Sequence, residues 1–117
     1  MALRSATDRI PPCNIEAEQS VLGSMLLDGQ AVITAAEILR EDDFYQDNHR
    51  FIYSTMMELV NQGVACDLVT VSEALTKNGK LEQVGGIGYL SDLASAVPST
   101  ANVEYYAQIV SEKALLR

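Results

Sequence analysis

The residues equipped for covalent or acid–base chemistry are few and scattered. His49 is the sole histidine, and the thiols are Cys13 and Cys66. A working nucleophile needs a base within hydrogen-bond reach, and the spacing around His49 supplies neither partner. His49 reads as a half-buried packing residue in the first turn of a helix. Two cysteines without CxxC spacing and one histidine fall short of a four-ligand zinc site, so they read as reduced thiols of a cytoplasmic protein. Gly85-Gly86-Ile87-Gly88 is the one glycine cluster. It lacks the GK[ST] ending of a phosphate loop and follows no strand, so it reads as a tight junction between helices. No catalytic, nucleotide-binding or metal-binding residue is assigned on these grounds. The acidic run Glu41-Asp42-Asp43 reads first as a solvated helix start, with a docking patch for a basic partner as the alternative.

The elements that must carry these residues are helical. Asn14 is a good N-cap, and Glu16 and Glu18 suit the positive end of the helix it opens. Ile15, Leu22, Met25 and Leu26 share a face of that helix, and Asp28-Gly29 ends it, with glycine as a left-handed cap. The next helix is expected over residues 30–40, with Val32, Ala35, Ala36 and Leu39 inward. Phe44-Tyr45 then plugs an aromatic pair into the core. The clearest amphipathic pattern runs over residues 47–62, where Ile52, Met56, Leu59 and Val60 face inward, Phe51 and Tyr53 flank them, and Gly63 closes the helix. Thr70-Val71-Ser72-Glu73 reads as a capping box, followed by Val71, Ala74 and Leu75 on an inner face and an Asn78-Gly79 stop. Residues 81–84 add one more turn.

In the last third, Ile87, Leu90, Leu93, Ala94 and Val97 fall on one helical face, and Pro98 ends that helix at or before Val97. Tyr89 sits at the margin of this face, where a half-exposed tyrosine can anchor a partner. Ser99 or Asn102 caps a final helix with two apolar stripes. Val103, Tyr106, Ala107, Val110 and Ala114 form one, and Tyr105, Ile109 and Leu116 the other. A surface helix needs only one such face, so the second stripe is expected to meet another chain or a missing continuation. The whole reads as all-α, about six helices in a head plus this unfinished arm.

The chain has 117 residues, enough for one domain, with 48% hydrophobic and 21% charged residues. Its formal charge of −8 argues against duplex DNA as the main partner, because backbone binding needs clustered Lys and Arg. Basic protein partners are compatible with it. No apolar run approaches a membrane span, and the first residues lack the apolar segment of a secretory signal.

Four runs carry a resemblance: PPCNIEAEQSVLGSMLLD (11–28), DDFYQDNHRFIYSTMMEL (42–59), DLVTVSEAL (67–75) and VGGIGYLSDLASAVPSTANVEYYAQIVSEKALLR (84–117). In this order they resemble the amino-terminal domain of bacterial replicative DNA helicases of the DnaB type. Residues 1–13, with little periodicity and closing on Ile10-Pro11-Pro12, read as a mobile tail, and the resemblance implies a helical head over 14–97 and the truncated first arm of a helical hairpin over 98–117. It implies a collar on a hexamer, built as a trimer of dimers, that receives primase and contacts the helicase loader in the bacterial cytoplasm. The ATP- and magnesium-using RecA-like motor, and most contact with DNA, belong to a separate domain absent here. On that reading Tyr105, Ile109 and Leu116 form an oligomer or hairpin interface and Tyr89 a partner contact, while this segment is itself non-catalytic. A stand-alone helical interaction module without a motor is the main alternative. A small DNA-binding protein is disfavoured by charge, and a small enzyme by the missing constellation.

Overall fold

The computed structural model describes residues 10–117, and every regular element among them is helical. The expected mobile tail falls largely outside this range. In chain order the elements are α1 (Ile15–Leu27), α2 (Gly29–Ile38), a 3₁₀ turn (Glu41–Asp43), α3 (Asp47–Asn61), α4 (Leu68–Lys77), α5 (Leu81–Val84), α6 (Gly86–Ala96), a second 3₁₀ turn (Thr100–Asn102) and α7 (Val103–Leu116).

Helix α1 is the axis, packed by α2, α3, α6 and α7. It opens as the sequence suggests, the Asn14 side chain accepting from the Ala17 amide at 3.0 Å. It does not close on a left-handed glycine. Asp28 is extended (φ −145°) and its side chain accepts from the Gln30 amide, so one residue ends α1 and caps α2, and Gly29 begins the next helix. An aspartate able to start a helix makes a separate glycine stop unnecessary. From Ala17 to Leu26 nearly every α1 residue is buried, Glu18 included.

Helices α1 and α6 come close together at Gly23. A Cβ on Gly23 would lie 2.1 Å from the Leu93 carbonyl oxygen and 2.5 Å from Val97 Cγ2. Helix α6 enters through Gly85 and Gly86, whose φ values of 122° and 77° no ordinary side chain favours. This entry turns Gly86, Leu90 and Leu93 inward and leaves Ile87 exposed, contrary to its expected place on the inner face. Val60 is likewise exposed, because it lies in the last turn of α3 on the wall of an open groove with Ile33 and Val64. Ala36, also expected inward, is exposed on the same groove.

Helix α3 buries His49, Ile52, Tyr53, Thr55, Met56 and Leu59 and is closed by Gly63 (φ 76°). Only half of the expected aromatic pair enters the core: Phe44 is buried and packed 5.0 Å from the Tyr53 ring, while Tyr45 is half-buried with Arg117 over its ring. The capping box of α4 lies three residues earlier than expected. Asp67 accepts from the Thr70 amide at 2.8 Å, and Thr70 Oγ1 accepts from the Asp67 amide at 2.9 Å. Thr70 thus closes the box rather than opening it, and Glu73 is left exposed. Helix α7 lies along α1 and α2, and its Val103, Ala107 and Val110 are buried against the head. Ser99 caps the 3₁₀ turn before it, accepting from the Ala101 amide at 3.1 Å.

Gly23→Ala is expected to destabilise the domain by about 1–3 kcal/mol, because neither a backbone carbonyl nor the packed Val97 can yield fully. Gly88→Ala, with open space around its Cβ, should be neutral or stabilising. Thermal melts of the two variants check the contrast. A second expectation concerns Tyr53, whose hydroxyl donates to the Leu39 carbonyl at 2.8 Å. Burial first, and the Asp43 charge second, push its pKa from 10.0 up to about 12. The unfolded phenol ionises first as pH rises, so this stability is present below pH 10.0 and lost toward pH 12. Tyr53→Phe should cost about 1–3 kcal/mol at neutral pH by orphaning the Leu39 carbonyl, and should flatten the alkaline fall of the melting midpoint.

Candidate interaction site

The most organised polar cluster joins three helices. Glu18 on α1 is 1% exposed, and its carboxylate is met only by donors. The Tyr45 amide lies 2.6 Å from Oε2, and the Gln46 amide reaches Oε1 at 3.5 Å. His49 Nδ1 lies 2.7 Å from Oε1. The Gln46 side chain does not cap α3, so Glu18 supplies the negative charge that the start of that helix favours. His49 is fully buried, with Phe44 edge-on to its ring at 6.5 Å. Its Nε2 lies 2.6 Å from the Tyr89 hydroxyl, which also receives Gln19 Nε2 at 3.3 Å.

The proton positions follow from what each group can offer. A carboxylate only accepts, so His49 Nδ1 carries the hydrogen between them. In the neutral ring Nε2 then accepts from the Tyr89 hydroxyl, whose oxygen takes the Gln19 N–H. The order carboxylate, imidazole, hydroxyl matches a nucleophilic triad, but the hydroxyl is a phenol turned inward onto a sealed imidazole. The arrangement anchors the half-buried Tyr89 rather than activating it. The sequence placed His49 correctly in a first turn but as a half-buried packing residue. The bonds to Glu18 and Tyr89 span 31 and 40 positions, and no local pattern reports them.

The outer stripe of α7 divides. Tyr105 and Leu116 are 65% and 68% exposed, and the adjacent Leu115 is open as well. Ile109 is not on that open surface. It packs against the core beside Tyr106, in a shallow pocket with Asn14, Ala17, Ala96 and Pro98. The helix is seated deeply enough that both Tyr106 and Ile109 form shoulders of its buried face.

The acidic run divides too. Glu41 and Asp42 are exposed. The Asp43 carboxylate closes its own turn by accepting from the Arg40 amide at 2.9 Å, and its carbonyl accepts from Arg117 at 2.7 Å. An apolar groove of about 580 Å³ between α2 and the α3–α4 loop had not been foreseen, and Ile33, Ala36, Val60, Val64 and Cys66 line it. The only signal for it was apolar residues in excess of one helical face. The Cys66 thiol, within 3.5 Å of the Met56 carbonyl, has its pKa raised by burial and then by Asp67. Among the described residues no helix is long and apolar enough to cross a membrane.

Residues 10–112 match the family model described as the DnaB-like helicase N terminal domain. The chain belongs to that family. It is 53% identical over 110 residues to the replicative DNA helicase DnaC of Bacillus subtilis (strain 168), covering 94% of this chain and 24% of that protein. It is 51% identical over 111 residues to the replicative DNA helicase DnaB of Geobacillus stearothermophilus, covering 95% and 24%. The chain thus spans about a quarter of the length of these relatives. Its fold is similar to the crystal structure of the N-terminal domain of DnaB helicase from Mycobacterium tuberculosis, with a TM-score of 0.90 at 47% identity over 92% of this chain and 78% of that one. A DnaB-like replicative helicase described with its interactions with primase is similar at TM-score 0.76 and 36% identity, over 86% of this chain and 24% of that one. The DnaB-type domain is all-α here, as the residue pattern and the resemblance both implied.

Removing the central carboxylate leaves His49 and two amides without their acceptor. Glu18→Ala is therefore expected to destabilise the domain by about 3–5 kcal/mol, a larger loss than any substitution at the exposed Glu16. Chemical denaturation of both variants, with unchanged dependence on denaturant, checks it.

Proposed function

We propose that this chain is the oligomerisation and partner-docking domain of a replicative DNA helicase of the bacterial cytoplasm. The observation that carries the reading is its membership of the DnaB family over residues 10–112. The naming of primase in the description of a similar helicase supports the choice of partner. In this proposal six copies form a collar, arranged as a trimer of dimers, that receives primase and contacts a loader. ATP and magnesium serve a motor domain outside the residues described here, and DNA is engaged mainly there. Tyr105 and Leu116 supply apolar surface for assembly, and the exposed part of Tyr89 meets a partner. The acidic side chains of Glu41 and Asp42 are a further docking patch for a basic partner.

The placement of Ile109 decides which variant tests assembly. Ile109→Glu would bury a charge in the head as well as in any seam, so it cannot separate the two roles. Tyr105→Glu can, because its side chain is mostly in water. In a protein extended by the roughly fifty residues a helical hairpin needs, Tyr105→Glu should weaken self-association about tenfold or more, as loss of an interface anchor does. The melting midpoint of the head should stay nearly unchanged. Sedimentation equilibrium and thermal melts read the two effects. An extended chain that remains monomeric and binds no primase would replace this proposal with the stand-alone module.

A further inference from the structure

We propose that His49, though sealed from any partner, is a positioning residue that sets how Tyr89 is presented at the docking surface, with Glu18 fixing the tautomer that allows it. This rests on the reading that Tyr89 meets a partner. Tyr89 is restrained on three sides. Its ring lies against the backbone of Gly85, where an added Cβ would sit 2.7 Å from Tyr89 Cβ and 3.0 Å from Cγ. Its hydroxyl is held by His49 Nε2 at 2.6 Å and by Gln19 Nε2 at 3.3 Å. A tyrosine has two side-chain torsions, and a ring wall plus a fixed hydroxyl determines both. A side chain ordered before contact loses less freedom on binding, which raises affinity without any new contact.

The same network fixes the chemistry that Tyr89 offers. Glu18 holds the Nδ1 hydrogen of His49, so whenever the ring carries a single hydrogen Nε2 takes the phenolic one. The Tyr89 hydroxyl then has no hydrogen left to donate outward. A partner group that reaches the oxygen must itself be a donor, such as an ammonium, a guanidinium or an amide N–H. Such a partner suits a chain of net charge −8. His49 thus acts beyond packing, although it is fully buried and no partner atom touches it.

The test is a double-mutant cycle with purified primase as the probe, using His49→Gln and Tyr89→Phe in this chain, joined to the ring order of Tyr89 read by nuclear magnetic resonance on tyrosine-labelled protein without primase. Tyr89→Phe also assigns the Tyr89 signals. His49→Gln is expected to loosen the Tyr89 ring and to weaken primase binding roughly three- to tenfold. In the Tyr89→Phe background it should change binding by less than about twofold, because the hydroxyl it acts through is gone. Equal weakening in both backgrounds would make His49 merely structural and overturn the inference. So would an unchanged ring and unchanged affinity in His49→Gln. Should His49→Gln fail to fold, Tyr89→Phe alone decides, since full affinity with the tether cut would contradict the proposal. If the parent chain does not bind primase, the docking reading fails and takes the partner half of this inference with it, while the ring measurement still decides the tether.

Discussion

A carboxylate removed from water must find donors, and the ones available to Glu18 lie on another part of the chain. The amides of Tyr45 and Gln46 and the Nδ1 of His49 converge on it from the start of α3. Satisfying that one group fixes how α1 is rolled about its axis relative to α3. It also fixes the chain between them, because the Phe44 ring is delivered into the core one residue before Tyr45 donates. His49 then hands the constraint on to α6 through the Tyr89 hydroxyl. A misplacement of Glu18 would expose a charge to apolar surroundings, which makes the arrangement far less tolerant of sliding than side chains packed by shape alone.

The second constraint is distance. Helix α1 has neighbours on most sides, and Gly23 lets the backbone of α6 come closer than any side chain would permit. Together the glycine and the carboxylate hold α6 in position and orientation. Tyr89 is the point where this rigid interior reaches the surface. Helix α7 is placed differently. Small and β-branched residues seat it on α1 and α2, while Tyr105, Leu115 and Leu116 are left to solvent. Helix α6 therefore offers a side chain locked by polar contacts, and α7 offers apolar surface with no polar specification.

Much of this was legible in the residues. Asn14, Phe44, Gly63 and Gly79 act where their chemistry says they should, because capping, aromatic burial and positive φ are local requirements. The all-α class followed from periodicity alone. The misassignments have a common origin. Periodicity gives the direction of an apolar face but not its width or the reach of its neighbours, so it turns Val60 and Ile87 inward although both are exposed, and it does not report that the half-buried Ile109 also leans on the head. Asp67 and Thr70 compete to open α4, and the earlier cap wins because its carboxylate and the Thr70 hydroxyl satisfy each other's amides. Glu18 looked like a routine first-turn acid. What distinguishes it is a partner more than two dozen residues away, and sequence spacing holds no record of such a meeting.

The fastening of Arg117 has a mechanical consequence. Its guanidinium donates to the carbonyls of Pro12 and Asp43 and lies over the Tyr45 ring, so the chain just before α1 and the last turn of α7 are held side by side. A force pulling positions 12 and 117 apart meets this clasp first. Once it yields, tension applied at position 117 lifts α7 from that point backward, parting its contacts in succession rather than all together. Peeling of this kind resists tension far less than shearing along the roughly 20 Å length of such a helix would. A directed pull between these two positions therefore loads the Arg117 contacts before it loads the buried centre.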